Sequence, residues 1–371
     1  MPTIIEALAQ TKVIHTTSTS IQVEQTVAHE LRQIIGGRAE TKHASGLNAP
    51  AGSVRLAVIQ ERKKWASIHP ALDGTKDWIM VRMKNGSGIE LLASRPHLLY
   101  YGFTMLTEDW KTLGVGEFTV GKILHPSFRN LRPVYDLFLT QHARTVRNFN
   151  REEHVRNLAR LGFSHAEVNG LAFAVPFERG PKGELLHRFY TYCPSLDQFV
   201  SSRLNKGIYD DDYLQANLNF LKTNAALAEK YGLSPGIVCF EPRSVPDNLL
   251  ERYPMLRGAR VDHPIRSWHP RYNLSIAHPV VREHYAEMME NLLREVPALE
   301  YMSVWSNDSG AGFEYTNSLY VGRNGSGYVI REWKGDTEIA EAAANNLVRF
   351  MKTLRDAGRK VNPKFRTLIR L

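Results

Sequence analysis

The chain has 371 residues, 43% of them apolar, and a formal net charge of +9. That length makes two domains the natural expectation, and no apolar run approaches the ~20 residues that a membrane helix needs. Lys and Arg are spread along the chain rather than clustered, which speaks against a nucleic-acid module and leaves only a mild bias toward anionic ligands such as uronic acids or sulfated sugars.

At the N-terminus, MPTIIEALAQTK lacks a basic start followed by a long apolar core, so no secretory signal is read and the cytoplasm is the expected compartment. Residues 1–125 read as a small α/β sandwich domain. Lys12–Thr17 is a predicted strand. Val23–Ile35 is a predicted helix, with Val23, Val27, Leu31 and Ile34 at helical spacing and Gly36-Gly37 as its stop. Ser53–Ile59 and Trp78–Met83 are strands, Asn85-Gly86-Ser87-Gly88 is a hairpin turn, and Ile89–Ala93 returns. Leu98–Leu113 is an apolar helix, and Gly102 inside it predicts close packing against the sheet. The carboxylates of this part are scattered and read as solvated surface.

Gly114–Leu131 is a Gly-containing linker, after which strand-like runs alternate with long helical ones, the pattern of parallel βα units. The predicted strands are Arg132–Thr140, His165–Leu171, Gly236–Phe240, Leu299–Trp305 and Phe365–Leu371. The predicted helices are Arg151–Leu161, N-capped by Asn150, then Asp211–Tyr231, Pro279–Glu295 and Asp336–Ala357, the last with Gly358 just past its end. Cys193 and Cys239 have no metal or redox spacing and read as reduced. Residues 126–371 therefore read as an incomplete (β/α) TIM-type barrel of about four and a half units, where a closed one takes about 250 residues. A chain that stops in an apolar β-pattern leaves an unpaired edge. The expectation is a truncated barrel, or a half-barrel that dimerises, with self-association through the exposed barrel edge.

Barrel sites sit at the C-terminal ends of the strands. The first predicted strand is followed by Gln141, His142, Arg144 and Arg147, and the second by Asn169. Glu241 and Arg243 follow the third, and Asn307, Asp308 and then Glu314 follow the fourth. Leu299–Tyr315 runs from an apolar strand into Ser306-Asn307-Asp308-Ser309 and then Gly310 and Gly312, which delivers an acid to the catalytic face. Asn307–Gly310 is also a set of turn formers. Carboxyl groups that protonate a leaving oxygen are what glycoside cleavage requires. Asp308, Glu241 and Glu314 are the catalytic candidates, with Asp308 as general acid. Asn307, Arg243, Asn169, Arg147, His142, Trp268, His269 and Tyr272 are the substrate-binding candidates. Several have a plainer alternative: core packing for the aromatics, a salt bridge to Arg243 or Arg266 for Glu241, plain loop surface for Glu314, and a structural role for the histidines. The glycines of Val321–Tyr328 do not join a strand to a helix, so no nucleotide loop is read. No metal spacing and no cofactor are read.

The N-terminal run GSVRLAV, the NGSG hairpin and LASRPHLLYYGFTML resembles the domain that precedes the barrel in β-N-acetylhexosaminidases and α-glucuronidases. Arg147-Asn148-Phe149 with Arg151-Glu152-Glu153 resembles the stretch leading from their first barrel strand into its helix. The hexosaminidases carry an adjacent Asp-Glu pair after the fourth strand, and here Asn307-Asp308 stands at that place. The resemblance implies a glycoside hydrolase acting on an oligosaccharide or glycoside, with no nucleic-acid or membrane partner. A catalytically inactive carbohydrate-binding relative is the alternative.

Overall fold

The computed structural model describes residues 4–18, 20–72, 74, 76–84, 86–108, 123–133, 150–170, 194–262, 269–306, 310–316 and 335–370. The chain divides into two compact units. One holds Met1–Pro133, Asn150–Ala166 and Leu227–Ser234; the other holds Val134–Phe149, Glu167–Ala226 and Pro235–Leu371.

The first unit begins with α1 (Ile4–Ala9), β1 (Val13–Thr16) and α2 (Gln22–Ile34). Helix α2 buries Val23, Val27, Ala28 and Leu31, and ends where Gly36 and Gly37 take positive φ of 82° and 76°. Next come β2 (Glu40–His43), β3 (Ser53–Val58), α3 (Trp65–Ile68), β4 (Ile79–Lys84), β5 (Gly88–Ala93), α4 (Pro96–Thr107), β6 (Ile123–Leu124) and α5 (Arg151–Arg160). The strands form one six-stranded sheet in the order β2-β1-β3-β5-β4-β6. β2, β1, β3 and β5 run parallel, and β4 pairs antiparallel with both β5 and β6. Strand β2 was not foreseen because all four of its residues are polar or charged and exposed. It is recruited by backbone pairing to β1 alone, which needs no hydrophobic pattern.

Ala57, Met80 and Leu92 line one face of this sheet with Trp65, Ile68 and Trp78, the two indoles meeting edge-on at 5.9 Å. Helix α4 lies on the sheet with Gly102 inward. A Cβ there would come within 2.8 Å of Ile79 and 2.9 Å of Leu91, which is the close packing that Gly102 predicts. The helix predicted over 98–113 runs from Pro96 to Thr107 and ends there, with Glu108 extended at φ −113° and ψ 159°; residues 109–122 lie outside the described set. The Asn150 side chain caps α5 as expected, accepting from the Glu153 N–H at 3.1 Å.

A four-stranded sheet uses β7 (His165–Glu167), β8 (Ser234–Phe240), β11 (Tyr301–Trp305) and β12 (Arg366–Arg370), in the order β12-β11-β8-β7. Between these strands lie α6 (Asp211–Lys230), α7 (Asp247–Arg252), β9 (Arg257–Arg260), β10 (Tyr272–Leu274), α8 (Pro279–Glu295) and α9 (Asp336–Val361). β8, β11 and β12 are parallel neighbours in strict register. Among the described residues this sheet is open rather than closed into a barrel, and most of the predicted first strand, residues 134–140, lies outside them. The edge strand β12 leaves Leu368 and Ile369 42% and 43% exposed.

Element boundaries also differ from expectation. Strand β7 stops at Glu167 and passes into a short 3-10 turn over Val168–Gly170. Helix α9 runs through Gly358 to Val361, because Gly358 lies against Phe365 rather than ending the helix: a Cβ would fall 2.5 Å from that ring. Pro363, two residues on, blocks continuation. The antiparallel hairpin β9–β10 replaces what reads as an irregular excursion, since short strands rich in Arg and Asn carry little apolar alternation.

Candidate active site at the strand ends

The C-terminal ends of β8 and β11 are tied together by backbone. The Ser244 N–H donates to the Gly310 carbonyl at 2.8 Å, and the Gly312 N–H to the Pro242 carbonyl at 3.1 Å. The β9–β10 hairpin joins them: the Val245 N–H donates to the Tyr272 carbonyl at 3.0 Å, and the Gly310 N–H to the Val261 carbonyl at 2.7 Å. The Asn273 amide closes the knot, donating to the carbonyls of Pro242 at 3.1 Å and Gly312 at 2.6 Å. Residues that follow two separate strands are thereby held in one layer over the sheet. Beneath it, Phe240 and Trp305, the last residues of their strands, stack at 5.3 Å.

Glu241 is the first residue past β8 and is fully buried. Its Oε2 accepts from the Arg243 N–H and from the Tyr285 hydroxyl, each at 3.1 Å. Its Oε1 has no hydrogen-bond partner among the described residues. Burial pushes the carboxyl up to about 8; the negative charge of Asp197 adds to the rise, and Arg243 and the Tyr285 hydroxyl oppose it. Burial thus favours the neutral form of the Glu241 carboxyl. An isolated buried polar oxygen costs about 1–3 kcal/mol when left without a partner.

Arg243 does not form the side-chain salt bridge to Glu241 that their spacing allows. Its guanidinium reaches Asp197 at 3.1 Å, with both side chains buried. Asp197 sits in a short 3-10 turn, Leu196–Gln198, begun at Ser195, whose N–H donates to the Gln198 side-chain oxygen at 2.9 Å, and it also accepts from the Tyr209 hydroxyl at 3.3 Å. Asn169 spends both amide hydrogens on backbone, on the Pro194 carbonyl at 2.8 Å and the Val238 carbonyl at 2.7 Å, and accepts from the Val238 N–H at 3.0 Å. It fastens the end of β7 to β8. Glu314 is buried and accepts from the Ser275 hydroxyl at 3.1 Å. Tyr272 opens β10 under the Arg257 guanidinium, 5.1 Å from its ring centre, and His269 is exposed. Asn307, Asp308, Trp268, Arg147 and His142 lie outside the described residues.

Glu241 and Arg243 are therefore brought together with two residues that the sequence did not single out, Asp197 and Tyr285. Tyr285 lies on α8 among Val281, Met288, Met289 and Leu292, so its spacing reads as ordinary core. The Ser195-x-x-Gln198 pattern could have flagged a helical turn around Asp197, but nothing local couples it to a residue 46 positions away. Among the described residues, no group of three or more His, Cys, Asp or Glu could hold a metal ion. No described helix is long and apolar enough to cross a membrane.

No protein-family model and no curated protein matches the chain. Solved structures do. A GH138 enzyme targeting pectin rhamnogalacturonan II aligns at a TM-score of 0.50 and 10% identity, over 96% of this chain and 38% of that one. A family 89 glycoside hydrolase from Clostridium perfringens, in complex with PUGNAc, aligns at 0.51 and 10% identity, over 95% and 37%. A GH20 exo-β-N-acetylglucosaminidase from Vibrio harveyi aligns at 0.48 and 13% identity, over 97% and 51%. These neighbours are glycoside hydrolases, and the likeness to the first two is one of fold. The chain spans under two-fifths of the length of each of those two.

Proposed function

We propose that the chain is a hydrolase of glycosidic bonds, acting on an oligosaccharide or glycoside, with Asp308 beyond β11 as general acid. The observation that carries the reading is Glu241: a buried carboxyl at the end of the adjacent parallel strand β8, pushed toward its neutral form by burial, with one oxygen unengaged among the described residues. Glycoside cleavage needs two carboxyl groups whose environments set their protonation apart; in the sequence Glu241 follows β8, and Asp308 follows its parallel neighbour β11. Asn307, Arg147, His142, Trp268, His269 and Tyr272 are the proposed substrate contacts. Arg243 and Asn169 act from beneath, through Asp197 and the backbone. Glu314 is the reserve carboxylate.

The burial of Glu241 favours a second assignment within the same reaction, in which Glu241 donates the proton and Asp308 stays ionised. Hydrolysis of a panel of nitrophenyl glycosides, including uronides and N-acetylhexosaminides, tests both. Removing the acid by Asp308→Asn or Glu241→Gln should cost about 10²–10⁴-fold on poor leaving groups and much less on nitrophenolate, which needs little protonation. The variant that shows this split identifies the donor. Sugar binding by calorimetry with no turnover by any form would instead favour the carbohydrate-binding relative. Self-association through β12, where Leu368 and Ile369 are exposed, belongs to the same proposal and is read by sedimentation.

A further inference from the structure

Among the described residues, three charged or titratable groups face the Glu241 carboxyl: Arg243 from its own loop, Asp197 from the 3-10 turn, and Tyr285 from α8. Their roles differ. Oε2 accepts from both the Arg243 N–H and the Tyr285 O–H. A carboxyl oxygen that accepts two such bonds has used both lone-pair directions and acts as the carbonyl oxygen. The proton of a neutral carboxyl then belongs on the other oxygen, Oε1, the one without a partner among the described residues. Arg243, which could have neutralised an ionised Glu241, is turned to Asp197 at 3.1 Å.

We infer that Tyr285 and Asp197 are positioning residues: Tyr285 fixes which oxygen of Glu241 carries the proton, and Asp197 diverts Arg243 so that the proton stays. Oε1–H is then a fixed donor to a ligand oxygen, such as the glycosidic or hydroxyl oxygen of a sugar. The inference rests on reading the strand ends as the site, and it concerns residues that need not touch the substrate.

The test is a direct titration of Glu241 by infrared or carbon NMR spectroscopy on the full chain labelled at glutamate, with the signal assigned by its loss in Glu241→Gln. In the wild type the carboxyl should remain protonated through neutral pH and ionise near 8. Tyr285→Phe removes a donor to the ionised form and should move the midpoint up. Asp197→Asn removes a negative charge, releases Arg243, and should move it down by about one unit or more. The alkaline or acid limb of the pH–rate profile on an active nitrophenyl glycoside should follow the same two directions, which a merely structural role would not produce. Ionisation near 4.5 in the wild type, or shifts of the same sign in both variants, overturns the inference. If Asp197→Asn does not fold, Tyr285→Phe alone still decides, because a downward or absent shift refutes the role given to Tyr285. Titration as expected without turnover on any glycoside supports the inference while removing the hydrolase reading. Turnover with an ordinary Glu241 does the reverse.

Discussion

Replacing Glu241 with Gln should change how stability depends on pH, more than it changes stability at any one pH. The Glu241 carboxyl is held at about 8 in the folded chain, against 4.5 for an ordinary glutamate. Between these values the folded state keeps a proton that the unfolded state has released. Wild-type stability therefore falls as pH rises from 4.5 toward 8, and the loss is complete once pH exceeds the folded value. At about 1.4 kcal/mol per pH unit the window caps the loss at roughly 5 kcal/mol, and a few kcal/mol is expected once the buried site relaxes. Gln is uncharged in both states and can keep its carbonyl under the Arg243 N–H and the Tyr285 hydroxyl. It carries only a pH-independent cost, about 1–3 kcal/mol for an amide N–H₂ placed where Oε1 finds no partner. Urea unfolding of wild type and Glu241→Gln at pH 5, 6, 7 and 8 isolates the effect, since every other titrating group is common to both chains. The variant should gain on the wild type by a few kcal/mol across that range. A difference flat to within about 0.5 kcal/mol, or one that moves the other way, would refute the claim that Glu241 is buried in its neutral form.

Arg243→Met takes a buried guanidinium away from the Asp197 carboxylate and should cost about 3–5 kcal/mol in urea unfolding, whereas Arg243→Met combined with Asp197→Leu should recover most of that loss; additive losses would deny the pairing. Gly236→Ala puts a Cβ 2.2 Å from the Tyr301 ring, its register partner across β8 and β11. It should lower stability by about 3 kcal/mol or more, and Tyr301→Leu in the same chain should restore part of it, as read by thermal melting. Asn150→Ala removes the cap of α5 and should cost about 1 kcal/mol, with no effect on the titration of Glu241.

The fold was legible where a pattern is local. The β4–β5 hairpin follows from Gly86 and its neighbours between alternating apolar runs, and Asn150, with the glycines at 36, 37 and 162, marks helix ends by their own chemistry. The parallel strands β8 and β11 follow from apolar runs placed between long helices. Strand β2 and the hairpin β9–β10 were not legible, because their residues are polar and partner backbones hold them in place. Gly358 misled for a related reason. A glycine near a helix end reads as a stop, but here the missing side chain makes room for Phe365.

At the candidate site, Glu241 was legible as a carboxylate after a strand, but its state was not. Residues two apart invite a salt bridge between Glu241 and Arg243, which would make Glu241 an ordinary ionised surface-type group. The fold divides Arg243 instead: its backbone N–H goes to Glu241 and its guanidinium to Asp197. That division depends on a turn of the excursion before α6 and on one hydroxyl of α8, both brought in by tertiary packing. A carboxylate facing an unengaged arginine would ionise. The same carboxylate, buried beside an arginine that pairs with Asp197, is pushed toward its neutral form, and that shift is invisible in the spacing of Glu241 and Arg243.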